Sequence, residues 1–123
     1  MEIYQAIRDD IVLFTKVKLA NDFFTRLVGL LKTKSLDSQQ GLLLKKCRQV
    51  HTFGMKFNID VVFLSREGEI LDLEKNMVPG RISRHVKEAY WVLELESGAV
   101  ARQKLETHQK ITFTKANAAI GGK

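Results

Sequence analysis

The sequence predicts a mainly β domain, a small antiparallel β-sandwich or barrel-like unit with one or two short helices. Three observations predict it. Short runs rich in β-branched and aromatic residues recur along the whole chain and are separated by turn residues. The connections are short, and no long βαβ unit is visible. Apolar residues make up 45% of the 123 positions, enough for a single core without disulfides, and Cys47 is the only cysteine.

The elements follow in order. Residues 3–7 and 11–17 read as two strands joined by a turn at Arg8-Asp9-Asp10. Asn21-Asp22 can cap a short helix over residues 22–31, with Phe23, Leu27, Leu30 and Leu31 on one face and Arg26 as the charge inside it. Lys32 to Gln40 is polar and loop-like, and Leu42-Leu43-Leu44 is a short buried strand. After a polar turn at His51 to Met55, a strand runs from Ile59 to Ser65. Arg66-Glu67-Gly68-Glu69 is a hairpin turn, and Ile70 to Glu74 returns with Ile70 or Leu71 and Leu73 inward. Pro79-Gly80 breaks the pattern, and residues 82–87 read as an exposed loop.

Ala89 to Leu95 is the next strand. Tyr90, Val92 and Glu94 share one face of it, and Trp91, Leu93 and Leu95 the other. A short amphipathic helix over Ala99 to Leu105 and a last strand over Lys110 to Thr114 complete the tally of about seven strands. Residues 1–115 are expected to form the one domain, and 116–123, small and Gly-containing, a disordered tail.

The net charge of +6 is unevenly distributed. No acid lies between Asp37 and Asp60, whereas Lys45, Lys46, Arg48 and Lys56 are basic, and Arg81, Arg84 and Lys87 form a second basic run. That pattern invites an anionic partner, either a small ligand, a peptide or a nucleic acid. No apolar run approaches the ~20 residues that cross a bilayer. The N-terminus carries acids where a signal peptide has a basic region, so a cytoplasmic location is expected.

Asp60 is the most informative residue. It lies among Ile59, Val61, Val62 and Phe63, so it is expected to be buried and met by hydrogen-bond donors. The candidates are His51, Arg26, Thr52 and the backbone N–H groups of the Thr52 to Met55 turn. Asp60 then either ties down that turn or orients His51 as an acid/base pair. Gly54 lets the backbone approach a ligand, and Met55, with Phe53 and Phe57, lines either a pocket or the core. Metal binding has little support, because His51, His85 and His108 are far apart and Cys47 with His51 makes only a pair. No P-loop, dinucleotide fingerprint, HExxH or GxSxG occurs, so no cofactor is expected.

Several blocks together resemble the bacterial and archaeal family called domain of unknown function 192. Arg26-x-x-Gly29-Leu30-Leu31 is similar to its R-x-x-G-L-M, and His51-Thr52-Phe53-Gly54-Met55-x-Phe57-x-Ile59-Asp60-Val61-Val62-Phe63-Leu64 is similar to its H-T-F-G-M-x-x-P-I-D-V-V-F-L-D. Asn76-x-x-Pro79 followed by Arg81, and Val92-Leu93-Glu94-Leu95-x-x-Gly98, resemble later blocks. Asn58 stands where the family has proline, Ser65 where it has aspartate, Gly80 where it has tryptophan, and His108-Gln109 where Gly-Asp is common. The resemblance implies a compact β-rich fold and no particular reaction.

The sequence therefore favours a monomeric, non-enzymatic binding domain. Its cleft would be bordered by Arg26, His51, Thr52, Gly54, Met55, Asp60, Asn76 and Arg81, and would hold a small anionic ligand or a peptide. The alternatives are a small hydrolase or lyase using His51 and Asp60, and nucleic-acid binding through the basic patch.

Overall fold

The structure is a computed structural model and describes residues 2–20 and 35–116. It has seven strands among the described residues: β1 (Ile3–Arg8), β2 (Ile11–Ala20), β3 (Gln40–Lys45), β4 (Ile59–Leu64), β5 (Ile70–Met77), β6 (Trp91–Glu96) and β7 (Thr112–Lys115). One short helix, α1 (Ala99–Arg102), stands between β6 and β7. The expected helix over 22–31, with Arg26, and the tail from 117 onward lie outside the described residues. No helix among the described residues is long and apolar enough to cross a membrane.

All seven strands belong to one sheet, in the order β5-β4-β6-β3-β2-β1-β7. The mainly β class is as expected, but the sheet has two ends and is not closed into a barrel. A second difference is that β2 and β3 run parallel, while every other neighbouring pair is antiparallel. Parallel neighbours need a crossover of a dozen or more residues. Residues 21–39 supply that length, and a sequence reading that looks only for regular βαβ units misses it.

The two ends of the sheet curl round and meet. Glu69 and Lys110 form an isolated antiparallel bridge. Around it the Ile70 N–H donates to the Gln109 carbonyl at 2.8 Å, and the Ile111 N–H donates to Gly68 at 2.9 Å. The interior of the curl is one apolar cluster, built from Phe14, Val17, Val62, Leu64, Ile70, Leu93, Leu95, Val100 and Ile111. The outer face carries a second cluster, with Leu42, Leu44, Ile59, Val61, Phe63 and Val92 from the strands. Both faces of β4 are therefore covered, which explains why Val61-Val62-Phe63-Leu64 is continuously apolar rather than alternating.

Local details follow the residue chemistry. Asp9 and Asp10 both have positive φ (52° and 67°), the geometry of a type I′ hairpin between β1 and β2. In β5 the register slips between the pairs Leu64–Ile70 and Phe63–Asp72. Ile70 and Leu73 therefore both face the inner cluster, and Leu71 packs on the outer one. The expected helix over Ala99 to Leu105 stops at Arg102, and Lys104 then takes a left-handed φ of 54°. On β1, the Tyr4 hydroxyl donates to Glu2 at 2.9 Å, and Lys115 lies 3.4 Å from the same carboxylate. The Tyr4 hydrogen bond, then the lysine charge, holds the Glu2 carboxyl below its ordinary value, and the same hydrogen bond raises the Tyr4 phenol.

Candidate functional site

The outer apolar face is covered by two connections, residues 46–58 and 78–90, which pair as an irregular antiparallel ribbon. The Cys47 N–H donates to the Tyr90 carbonyl at 3.0 Å, Val86 to Arg48 at 2.9 Å and Ser83 to Val50 at 2.9 Å. His51 and Ile82 form an isolated bridge. The Thr52 N–H donates to Arg81 at 2.9 Å, and Gly80 donates back to Thr52 at 3.1 Å. The His51 turn and the Pro79 loop are thus neighbours, joined by backbone hydrogen bonds and by the Thr52 side chain.

Thr52 is the pin of that junction. It is fully buried. Its hydroxyl donates to the Val78 carbonyl at 2.6 Å and accepts the Arg81 N–H at 2.9 Å. Replacing it with the isosteric valine strands both groups. We expect Thr52→Val to cost about 1–2 kcal/mol in urea denaturation, because water reaches the half-exposed partners and recovers part of the loss.

His51 is half buried and stacks on Phe53 with ring centroids 5.0 Å apart. Its Nδ1 accepts the Phe53 N–H at 3.2 Å, so the neutral ring carries its proton on Nε2. Gly54 turns the chain at φ 81°, and Met55 is buried in the outer cluster with Phe57 packed against it. Phe53, by contrast, is 49% exposed, and Ile82, bridged to His51, is 61% exposed.

Asp60 is buried, with 1% of its surface exposed, as the sequence requires. Its donors among the described residues are neither His51, Thr52 nor the N–H groups of the Thr52 to Met55 turn, and Arg26 lies outside the described residues. Oδ1 accepts the Asn76 N–H at 2.8 Å, and Oδ2 accepts Gly98 at 3.0 Å and Val100 at 2.9 Å. The side chain leaves the outer face, where the His51 turn lies, and caps the start of α1 from across the sheet. Strand alternation dictates this, because Ile59 and Val61 occupy the outer face on either side of it. No hydrogen bond joins Asp60 to His51 or Thr52 among the described residues.

Asn76 is also engaged in scaffolding. It has a left-handed φ of 54°, and its Oδ1 accepts Asn58 Nδ2 at 2.9 Å and the Ser97 hydroxyl at 2.7 Å. The Arg81 side chain is exposed. Arg84 is committed to Asp72, with Nε and Nη2 at 3.0 and 3.2 Å from its two oxygens.

A concentration of positive charge among the described residues lies at the other end of the ribbon. Lys46, Arg48, Gln49, Arg66, His85, Ala89 and Tyr90 line an open cleft of about 580 Å³. It contains no carboxylate, and none of its four basic side chains is in an ion pair among the described residues. The Arg66 guanidinium sits 4.5 Å from the Tyr90 ring centroid, which fixes one cation at the cleft wall. The sequence places Lys46 and Arg48 in an acid-free stretch, but only the fold brings Arg66 and His85 beside them.

Sequence reasoning also gives no weight to Glu94 as a buried carboxylate. It is wholly buried on β6, in register with Leu42 on one side and Val61 on the other. The available signal is that it shares the Val92 face of an otherwise apolar strand. A carboxylate holds such a position only when it is partnered.

Two solved structures share the fold. A protein from Sinorhizobium meliloti 1021, described as a candidate transcription regulator, superposes with a TM-score of 0.75 at 24% identity, over 91% of this chain and 92% of its own. A protein of unknown function from Novosphingobium aromaticivorans DSM 12444 also gives a TM-score of 0.75, at 16% identity, over 89% of this chain and 83% of its own. At these identities the likeness speaks for the fold alone. No curated protein matches the sequence. The model of the domain of unknown function 192 family, described as an uncharacterised ACR, matches residues 5–113. That match takes in every strand but the outermost ends of β1 and β7, together with the His51 turn and both connections of the ribbon, and the chain belongs to that family.

Proposed function

We propose that this is a small non-enzymatic binding domain, monomeric and cytoplasmic, whose ligand is anionic and sits in the basic cleft at the Lys46 and His85 end of the ribbon. The observation that carries this reading is the lining itself, in which three permanent cations and a histidine face one cleft with no acid among them. Such a lining repels cations and draws phosphate or carboxylate groups, and arginine offers paired donors to either. The cleft lies at the opposite end of the ribbon from the His51 turn, where the hydroxyl of Thr52 and the side chain of Asn76 hold the scaffold. The hydrolase or lyase alternative is disfavoured because the Asp60 oxygens are occupied by backbone N–H groups.

The test is an NMR titration of the full chain with pyrophosphate and, separately, with a Glu-rich hexapeptide. Amide shifts are expected at residues 46–49, 66 and 85–90, and the Lys46→Ala/Arg48→Ala double variant should weaken binding at least tenfold. Absence of shifts there with both probes overturns the reading. A single-stranded oligonucleotide gives the nucleic-acid alternative its own measurement. A steep fall of affinity with salt and a dependence on strand length would favour that ligand over a small anion.

A further inference from the structure

A second cavity, of about 360 Å³, opens where the two ends of the curled sheet meet. That volume lies within the roughly 300–1,000 Å³ of small-molecule sites. Its walls include Leu19, Leu43, Trp91 and Phe113, and Arg66 and Lys110 bring two cations to it against the one carboxylate of Glu67. Leu19, Trp91 and Phe113 pack against the inner core and are only half buried, so they offer apolar surface to the cavity. The wall is braced, because Trp91 Nε1 donates to the Arg66 carbonyl at 3.3 Å and the Trp91 ring meets Tyr90 edge-on at 5.1 Å. Neither Arg66 nor Lys110 is in an ion pair among the described residues.

We propose that this cavity binds a small amphiphile, an aliphatic carboxylate whose chain lies on Leu19, Leu43, Trp91 and Phe113 and whose head group meets Arg66 and Lys110. The size excludes a folded partner, the apolar walls call for a chain, and the surplus of positive charge selects the sign of the head group. The site is independent of the basic cleft, with Arg66 the one residue they share.

Trp91 is the only tryptophan of the chain and reports binding directly. Titration of the full chain with decanoate should change its fluorescence saturably. Octanoate should bind about tenfold more weakly, since two fewer methylenes are buried. Decanol should bind at least tenfold more weakly than decanoate, and the Arg66→Ala/Lys110→Ala variant should remove that preference while its circular dichroism is unchanged. Amide shifts should cluster at residues 66–68 and 110–113. The Lys46→Ala/Arg48→Ala variant should bind decanoate normally, which separates failure of this site from failure of the cleft. No fluorescence change at millimolar decanoate, equal binding of decanol, or shifts elsewhere would each overturn the inference.

Discussion

Replacing Asp60 with alanine is expected to destabilise the fold by about 3–5 kcal/mol, measured as a fall in the urea midpoint at unchanged slope. The buried carboxylate accepts N–H groups from Asn76, Gly98 and Val100, so one side chain secures the end of β5 and the start of α1 to β4. Alanine removes all three acceptors and leaves a void in a place that water does not readily enter. Charge-assisted bonds contribute about 1.5–3 kcal/mol each, but part of that is returned because the variant no longer buries a charge. Asparagine is the sharper probe. The donors lie on both carboxylate oxygens, and an amide has only one oxygen, so its NH₂ must face at least one backbone N–H. Asp60→Asn should therefore still cost about 1.5–3 kcal/mol despite matching the shape. Hydrogen exchange at Gly98 and Val100 should accelerate in both variants. A loss below about 1 kcal/mol in Asp60→Ala would mean that water replaces the carboxylate, and that α1 does not depend on it.

Asp60 also marks how far sequence reasoning reaches. Its burial was legible because the neighbours on either side are apolar, and a strand surrounded in this way must be covered on both faces. Its partners were not legible, because Asn76, Gly98 and Val100 come from two other parts of the chain, brought close by the β4–β5 and β4–β6 pairings. The His51 turn shows the same division. Gly54 and the polar run announce a turn, yet what holds it is the Thr52 hydroxyl bonded across to Val78 and Arg81, a long-range contact. The strands were readable from composition and turn chemistry. The parallel pairing of β2 with β3 was not, because alternation tells which face a residue takes and not the direction of its neighbour. The basic cleft was half legible. Lys46 and Arg48 stand in an acid-free stretch, but Arg66 belongs to a hairpin that reads simply as a turn.

Gly68→Ala should be a damaging single-methyl change, at about 2–4 kcal/mol. Gly68 occupies the β4–β5 turn with φ of 95°, which an L side chain adopts only under strain. A methyl there would also lie 2.3 Å from the Ile111 carbonyl oxygen, which is backbone and has no rotamer to escape into. The close approach is what lets the Ile111 N–H reach the Gly68 carbonyl and bring the two ends of the sheet together. The added methyl must push residues 108–111 away, and with them the bonds from Ile70 to Gln109 and from His108 to Ile70. The loss should thus be local as well as global. Hydrogen exchange should rise at Ile70, His108 and Ile111 before it rises at Val62 or Leu93, which lie inside the inner cluster. Gly80 supplies the control, since it too has positive φ, at 82°, but a Cβ there meets nothing within 4 Å. Gly80→Ala should cost only the conformational strain, about 1–2 kcal/mol, without opening the seam. Equal losses in the two variants would show that the contact with Ile111 contributes nothing, and that the ends of the sheet are held by the inner core alone.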